Sequence, residues 1–301
     1  MEGIAQSRLT RIVKLQNKDY ETGEYISAIP RTAGETLQLI TTYPWADQRD
    51  HLAIGLTNPS ITIEGPDHDY LKLSPWYNGK FVLHYFDKDH HLYTHSLDQL
   101  ADADPFILAF FSDTPFDVSS FKKEITWLQN NYVQFHTQGF HYTIRPIRLV
   151  GTAFLALNLI FLASTFLILT HFTIWLFLPA LAILLLLGTI GALAFNHYRA
   201  AKNKVLILSR GKQEFSYGPP SAPVTFNKND IQEIITYGRR SKGSYLPLTR
   251  VEIVFKDGRS IEISCLMIRQ FDLIAKFPHC RTSEIGTTFP FINHDAAALF
   301  G

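Results

Sequence analysis

The residues best equipped for chemistry lie close together. His84, Asp87, Asp89, His90, His91 and His95 fall within twelve positions. Imidazole and carboxylate together suit a divalent metal. Phe81–Phe86 and His91–His95 read as two strands around Asp87-Lys88-Asp89-His90, a hairpin signal. Ligands on one strand need even spacing to share a face, and His91 and His95 meet that condition. They are the candidate metal ligands. The competing reading is a solvated hairpin end, where Asp and His are commonplace. No nucleophile elbow, phosphate-cradling glycine loop or zincin helix occurs, so no catalytic residue is assigned and no cofactor is expected.

Two further groups could serve recognition. Tyr70, Trp76, Tyr77, Phe81, Tyr85, Phe86 and Tyr93 crowd into 24 positions. Cross-strand aromatic pairs of a sheet core explain such a cluster. Exposed aromatics also anchor protein interfaces, which makes Tyr70, Trp76, Tyr77, Tyr85 and Tyr93 candidate partner-binding residues. Arg239, Arg240, Lys242 and Arg250 form a basic group that could meet nucleic-acid phosphate or anionic lipid.

The elements that must position these residues are set by charge. The chain has 301 residues, 28 basic and 27 acidic, yet none of these lies between Arg148 and Arg199. Fifty helical residues would be about 75 Å long, more than twice a ~30 Å hydrocarbon layer. Two spans fit, about Leu149–Leu169 and Ile174–Phe195, broken at Thr170-His171-Phe172-Thr173. Arg145, Arg148, Arg199, Lys202 and Lys204 flank the pair, so both termini are expected to be cytoplasmic at a bacterial inner membrane. Asn158, Gly188 and Ala192 are the candidate packing positions within the hairpin or between copies. Charged residues crowd the first 25 positions, so no cleavable signal peptide is expected. Cys265 and Cys280 are the only cysteines and lack metal-ligand spacing.

The flanking regions differ. Residues to Arg148 carry 13 basic and 18 acidic side chains, and the remainder carry 15 and 9. The expected plan is an amino-terminal cytoplasmic domain (1–140), the two spans (149–169 and 174–195), a carboxyl-terminal domain (200–280) and a loosely ordered tail (281–301). In the first domain Glu35–Tyr43, His51–Leu56 and Ser60–Glu64 read as short strands. Phe121, Ile125, Leu128 and Tyr132 read as one helix stripe. That summarises as an α+β domain.

In the last domain the period becomes two. Val205–Leu208, Glu214–Tyr217, Val224–Phe226, Ile231–Tyr237, Val251–Phe255 and Ser260–Ser264 read as strands, with a hairpin at Lys256-Asp257-Gly258-Arg259. A short helix within Met267–Phe277 closes the set. Phe226–Ile234, Val251–Ile263 and that amphipathic helix, hung on a membrane hairpin, resemble the bacterial pleckstrin-homology-like domains of small membrane proteins, over residues of about 204–277. The resemblance implies a mostly-β, barrel-like sheet with a closing helix, and a binding or assembly role without catalysis. Asp230-Ile231 through Lys256–Arg259 to Phe277–Arg281 is also similar to LytTR-type DNA-binding domains.

The fold class expected is therefore an α+β membrane protein with two cytoplasmic domains. The function expected is a non-enzymatic scaffold, adaptor or immunity protein against a membrane-acting toxin. Its partners would be the lipid bilayer, a protein bound by the amino-terminal domain and further copies of itself. The alternatives are a membrane-tethered LytTR-like regulator and a membrane-bound, metal-dependent hydrolase.

Overall fold

The computed structural model describes residues 9–49, 59–112, 115–124, 131–145, 160–162, 164–165, 174–238, 248–287 and 289–292. The expected strand His51–Leu56 and the loop Thr170–Thr173 lie outside them. The chain divides into two compact units, one of residues 1–139 with 209–212 and one of 140–208 with 213–301.

The first unit is built on a seven-stranded antiparallel sheet. Its strands are β1 (Thr10–Gln16), β2 (Ser27–Thr32), β3 (Ser60–Glu64), β4 (Tyr70–Pro75), β5 (Phe81–Phe86), β6 (Leu92–Leu97) and β7 (Lys122–Lys123), in the order β2-β1-β3-β4-β5-β6-β7. Three helices accompany it: α1 (Ala33–Thr42), α2 (Trp45–Gln48) and α3 (Asp104–Phe110). Val13, Ile61, Ile63, Leu71, Leu73 and Leu83 pack with Ile40, Trp45, Ile107 and Phe110 into one apolar core. Side chains alternate along a strand, so this core takes one face of the sheet and leaves the other to different residues.

Two expectations for this unit are corrected. Glu35–Tyr43 is helix, not strand. Thr32 accepts from the Glu35 N–H while the Glu35 carboxylate accepts from the Thr32 N–H, a reciprocal cap that opens α1. The helix stripe Phe121–Tyr132 is also not continuous. Lys122–Lys123 pairs with β6, and Asn131–Gln134 is a 3-10 turn, with Ile125 and Leu128 outside the described residues. Within this same unit the buried Glu24 carboxylate accepts from the backbone N–H groups of Gly211 and Lys212.

The second unit holds two four-stranded sheets. The first contains β8 (His141–Tyr142), β9 (Val205–Ile207), β10 (Glu214–Gly218) and β11 (Val224–Asn227), ordered β11-β10-β9-β8. The other contains β12 (Ile231–Tyr237), β13 (Arg250–Phe255), β14 (Ser260–Ser264) and β15 (Thr282–Ile285), ordered β14-β13-β12-β15, with β12 and β15 parallel. Leu206, Phe215, Tyr217 and Phe226 from the first sheet share a core with Ile234, Ile253, Phe255 and Ile263 from the second. The closing helix α5 (Gln270–Ile274, with α4 assigned below) adds Leu273 to it. Thr282–Ile285, expected to be loose, is thus a paired strand.

Between β8 and β9 runs α4 (Ile174–Ala201), which comes from the charge-free stretch. Among the described residues no helix is long and apolar enough to cross a membrane. The membrane-protein fold class, the transmembrane hairpin and the two-span inner-membrane location are corrected accordingly. The physical reason lies in how α4 is covered. Leu187, Ile190, Leu193, His197, Ala200 and Ala201 are buried, a stripe at helical spacing that faces protein. Leu193 packs with Leu248, Cys265 and Leu266. The thirteen residues ahead of Leu187 would rise about 20 Å, short of a ~30 Å hydrocarbon layer. Of the expected first span, only residues 160–162 and 164–165 are described, and they are helical.

Candidate functional site

The hairpin tip is organised by one carboxylate. Asp87 Oδ1 accepts from the N–H groups of Asp89 (2.9 Å) and His91 (2.7 Å), and Asp87 Oδ2 lies 3.1 Å from His91 Nδ1. Ligand atoms of Asp87, Asp89 and His91 lie within 4.8 Å of one another. His95 belongs elsewhere: its Nδ1 meets the Ser120 carbonyl at 2.8 Å, and its ring packs on Phe106 and Phe121. His84 pairs with Thr94, whereas His95 pairs with Leu83, so His84 and His95 point to opposite faces. The tip is an Asx-type turn in which one oxygen of Asp87 takes two backbone donors and the other faces the His91 ring.

A different polar group emerges on the sheet face away from the helices. Lys14, Thr62, Lys72, His84 and Thr94 stand directly opposite one another across β1, β3, β4, β5 and β6. Cross-strand neighbours share a face, so these five form a row. Lys14, Thr62, Lys72 and His84 are buried. Residues 131–136 supply partners. Lys14 Nζ donates to the Phe135 carbonyl at 3.0 Å and meets Glu64 at 3.1 Å, and Lys72 Nζ donates to the Gln134 carbonyl at 3.3 Å. Tyr25 Oη donates to that same Gln134 carbonyl at 3.0 Å. Burial pulls the Lys72 amine down to about 7. Burial first, and the Lys72 charge second, hold His84 at about 3, so its imidazole is neutral at neutral pH. Neither ring nitrogen of His84 has a partner among the described residues, and nor does Ser74 Oγ. Sequence reasoning missed this row because a lysine in a strand reads as a solvent position. The alternation of β4, with Lys72 between Leu71 and Leu73, was the only local hint.

The aromatic candidates separate. Tyr70 is fully buried, its ring against Phe135 and its hydroxyl 3.1 Å from His136 Nε2. Tyr85 and Tyr93 are half-buried, with Tyr85 also packed on Phe116. Trp76 and Tyr77 form an edge-on pair, centroids 5.2 Å apart, at the β4–β5 turn, and Tyr77 is exposed. That turn is rigid for a stated reason. Arg49 donates to the carbonyls of Trp76 (3.0 Å), Lys80 (3.2 Å) and Gly79 (2.9 Å), while its guanidinium covers the Phe81 ring. Asn78 and Gly79 both adopt positive φ, which the short polar side chain and the glycine allow.

Of the basic group only Arg250 lies among the described residues. Arg239, Arg240 and Lys242 lie outside the described residues. Arg250 is engaged internally: its Nη1 meets Glu262 at 2.9 Å and its guanidinium stacks over Tyr237 at 3.9 Å. Asn158 lies outside the described residues. Gly188 and Ala192 are exposed on α4, and a Cβ added at Gly188 would meet nothing within 4 Å.

A sequence-family model for the PH domain matches residues 132–276. The match begins before β8 and ends after α5, so the apolar stretch bearing α4 falls inside the matched range, between two strands of one sheet. The sequence resemblance had placed that domain entirely after the apolar stretch. No curated protein and no solved structure matches the chain.

Proposed function

We propose that this protein is a protein-binding scaffold whose amino-terminal unit engages a partner through Trp76 and Tyr77. The observation that carries this reading is the pre-ordered aromatic pair. An exposed Tyr77 set edge-on to a half-buried Trp76, on a turn clamped by three Arg49 hydrogen bonds, loses little conformational freedom on binding. Trp and Tyr are also the side chains most often found to dominate interface energetics. The PH-like domain supports the same class, since such domains are binding modules.

The test uses the full chain. A partner recovered by affinity purification is titrated against wild type and against Trp76→Ala/Tyr77→Ala. The double variant should keep its thermal midpoint and lose at least tenfold in affinity, the consequence of about 2 kcal/mol at a hot spot. Equal affinity for both proteins would refute the assignment.

A further inference from the structure

Residues 289–292 (Phe-Pro-Phe-Ile) are held by side chains rather than by a strand ladder. His197 Nε2 meets the Pro290 carbonyl at 2.9 Å, Arg250 Nη1 donates to the Phe291 carbonyl at 2.6 Å, and Asn196 Nδ2 donates to the Ile292 carbonyl at 3.0 Å. The Ile292 N–H donates back to Asn196 Oδ1 at 2.7 Å. Three consecutive carbonyls are thus each taken by a different side chain. Phe291 N–H donates to the Phe289 carbonyl, closing a three-residue turn on Pro290, whose ring presets the backbone. Pro290 and Ile292 are buried, while Phe289 and Phe291 remain exposed at 37% and 42%.

Two of the three readers, His197 and Arg250, are also held by groups outside the tail. A carbonyl can only accept, so His197 carries its proton on Nε2, and Nδ1 accepts from the Ser264 hydroxyl at 3.0 Å. Ser264 Oγ in turn accepts from the Leu266 N–H. Arg250 is held by Glu262 and Tyr237. Asn196, His197, Arg250, Glu262 and Ser264 all lie within the PH-matched residues, whereas 289–292 lie beyond them. The domain supplies a receptor, and a segment outside it supplies the occupant.

We propose that the groove between α4 and β13 is a recognition site for an apolar Pro-x-Ile peptide of a partner chain, which residues 289–292 occupy in cis as a competitor. Main-chain recognition makes the exposed positions permissive. The two buried positions demand a proline and, two residues on, an aliphatic side chain. A tethered occupant acts at an effective concentration of order millimolar, so a free peptide must displace it or find it released. This site does not depend on Trp76 or Tyr77, and it stands or falls separately from that surface.

The probe is carboxyfluorescein-Phe-Pro-Phe-Ile-amide, with the dye acylating the amino terminus, read by anisotropy against the full chain. Ile292→Asp places a charge where the tail is buried and should release it, so this variant should bind the probe at least tenfold more tightly than wild type. Adding Asn196→Ala should abolish the gain, and a probe with Ile replaced by Asp should not bind. A folded Ile292→Asp variant that fails to bind, or binds no better than wild type, would overturn the proposal. In the unaltered chain, excess probe should accelerate hydrogen exchange of the Ile292 amide, and unchanged exchange would count against it without any substitution. A wild-type dimer in light scattering that Ile292→Asp dissolves would assign the groove to a second copy and overturn the partner reading.

Discussion

Lys72 offers a direct test of the buried row. Its amine is fully enclosed on the central strand β4 and has one acceptor, the Gln134 carbonyl at 3.3 Å. Burial lowers its pKa from 10.5 to about 7, which means that the folded state resists protonation and the unfolded chain does not. The unfolded state therefore binds more protons between pH 7 and 10.5, and stability rises with pH across that window. Below pH 7 the full penalty is present, and it fades as pH approaches 10.5. Linkage over this gap gives a penalty of about 4 kcal/mol at pH 7 that falls to about 1 kcal/mol at pH 9.5. Lys72→Met removes the amine and keeps the stem volume. The Gln134 carbonyl still accepts from Tyr25, so the substitution strands no acceptor. Urea unfolding of both proteins at the two pH values isolates the residue, because every other titration cancels in the difference. Lys72→Met should be the more stable protein at pH 7, with an advantage that shrinks by about 3 kcal/mol at pH 9.5. Parallel stability-against-pH curves, or a variant less stable at pH 7, would refute the reasoning.

Other consequences are accessible to the same assays. Thr32→Ala removes the reciprocal cap of α1 and should cost about 1 kcal/mol in urea unfolding, with the α1 amides losing exchange protection first. His197 is held at about 4 chiefly by burial, so its contribution is complete above pH 6.5 and declines as pH falls towards 4. Wild type should lose about 3 kcal/mol over that interval relative to His197→Gln, and superimposable acid limbs would contradict the burial argument. Gly258 sits at φ 85° in the β13–β14 turn with open space around it. Gly258→Ala should therefore cost about 1 kcal/mol through backbone strain alone, and Gly258→Asn should recover part of it.

In the carboxyl-terminal unit much of the structure that follows from neighbours in the chain was legible. Ile231–Tyr237, Ser260–Ser264 and the Asp257-Gly258 turn announce themselves by two-residue alternation and by a glycine at positive φ. The β5–β6 hairpin does the same. Glu35–Tyr43 was misread although its signal was local: Thr32 and Glu35 stand at capping-box spacing, and a run of Leu, Ile and Thr outweighed them in a strand reading. The second half of the charge-free stretch, Ile174 onwards, was legible as apolar helix. What would cover that helix was not, because lipid and protein select the same side chains.

The remaining features depend on partners far away in sequence. His141–Tyr142 becomes a strand only because it meets Leu206 and Ile207, more than sixty positions on and beyond the apolar stretch. Lys72 and His84 become buried neighbours because strand register sets them opposite each other. Phe289–Ile292 gains its place from Asn196, His197 and Arg250, none of which leaves a mark on its own composition. Composition and periodicity determined many of the strands and the tight turns of the second unit, since those preferences act over a few residues. Only the tertiary structure decided which polar groups would lose water, because desolvation is set by whatever packs against a residue and not by what precedes or follows it.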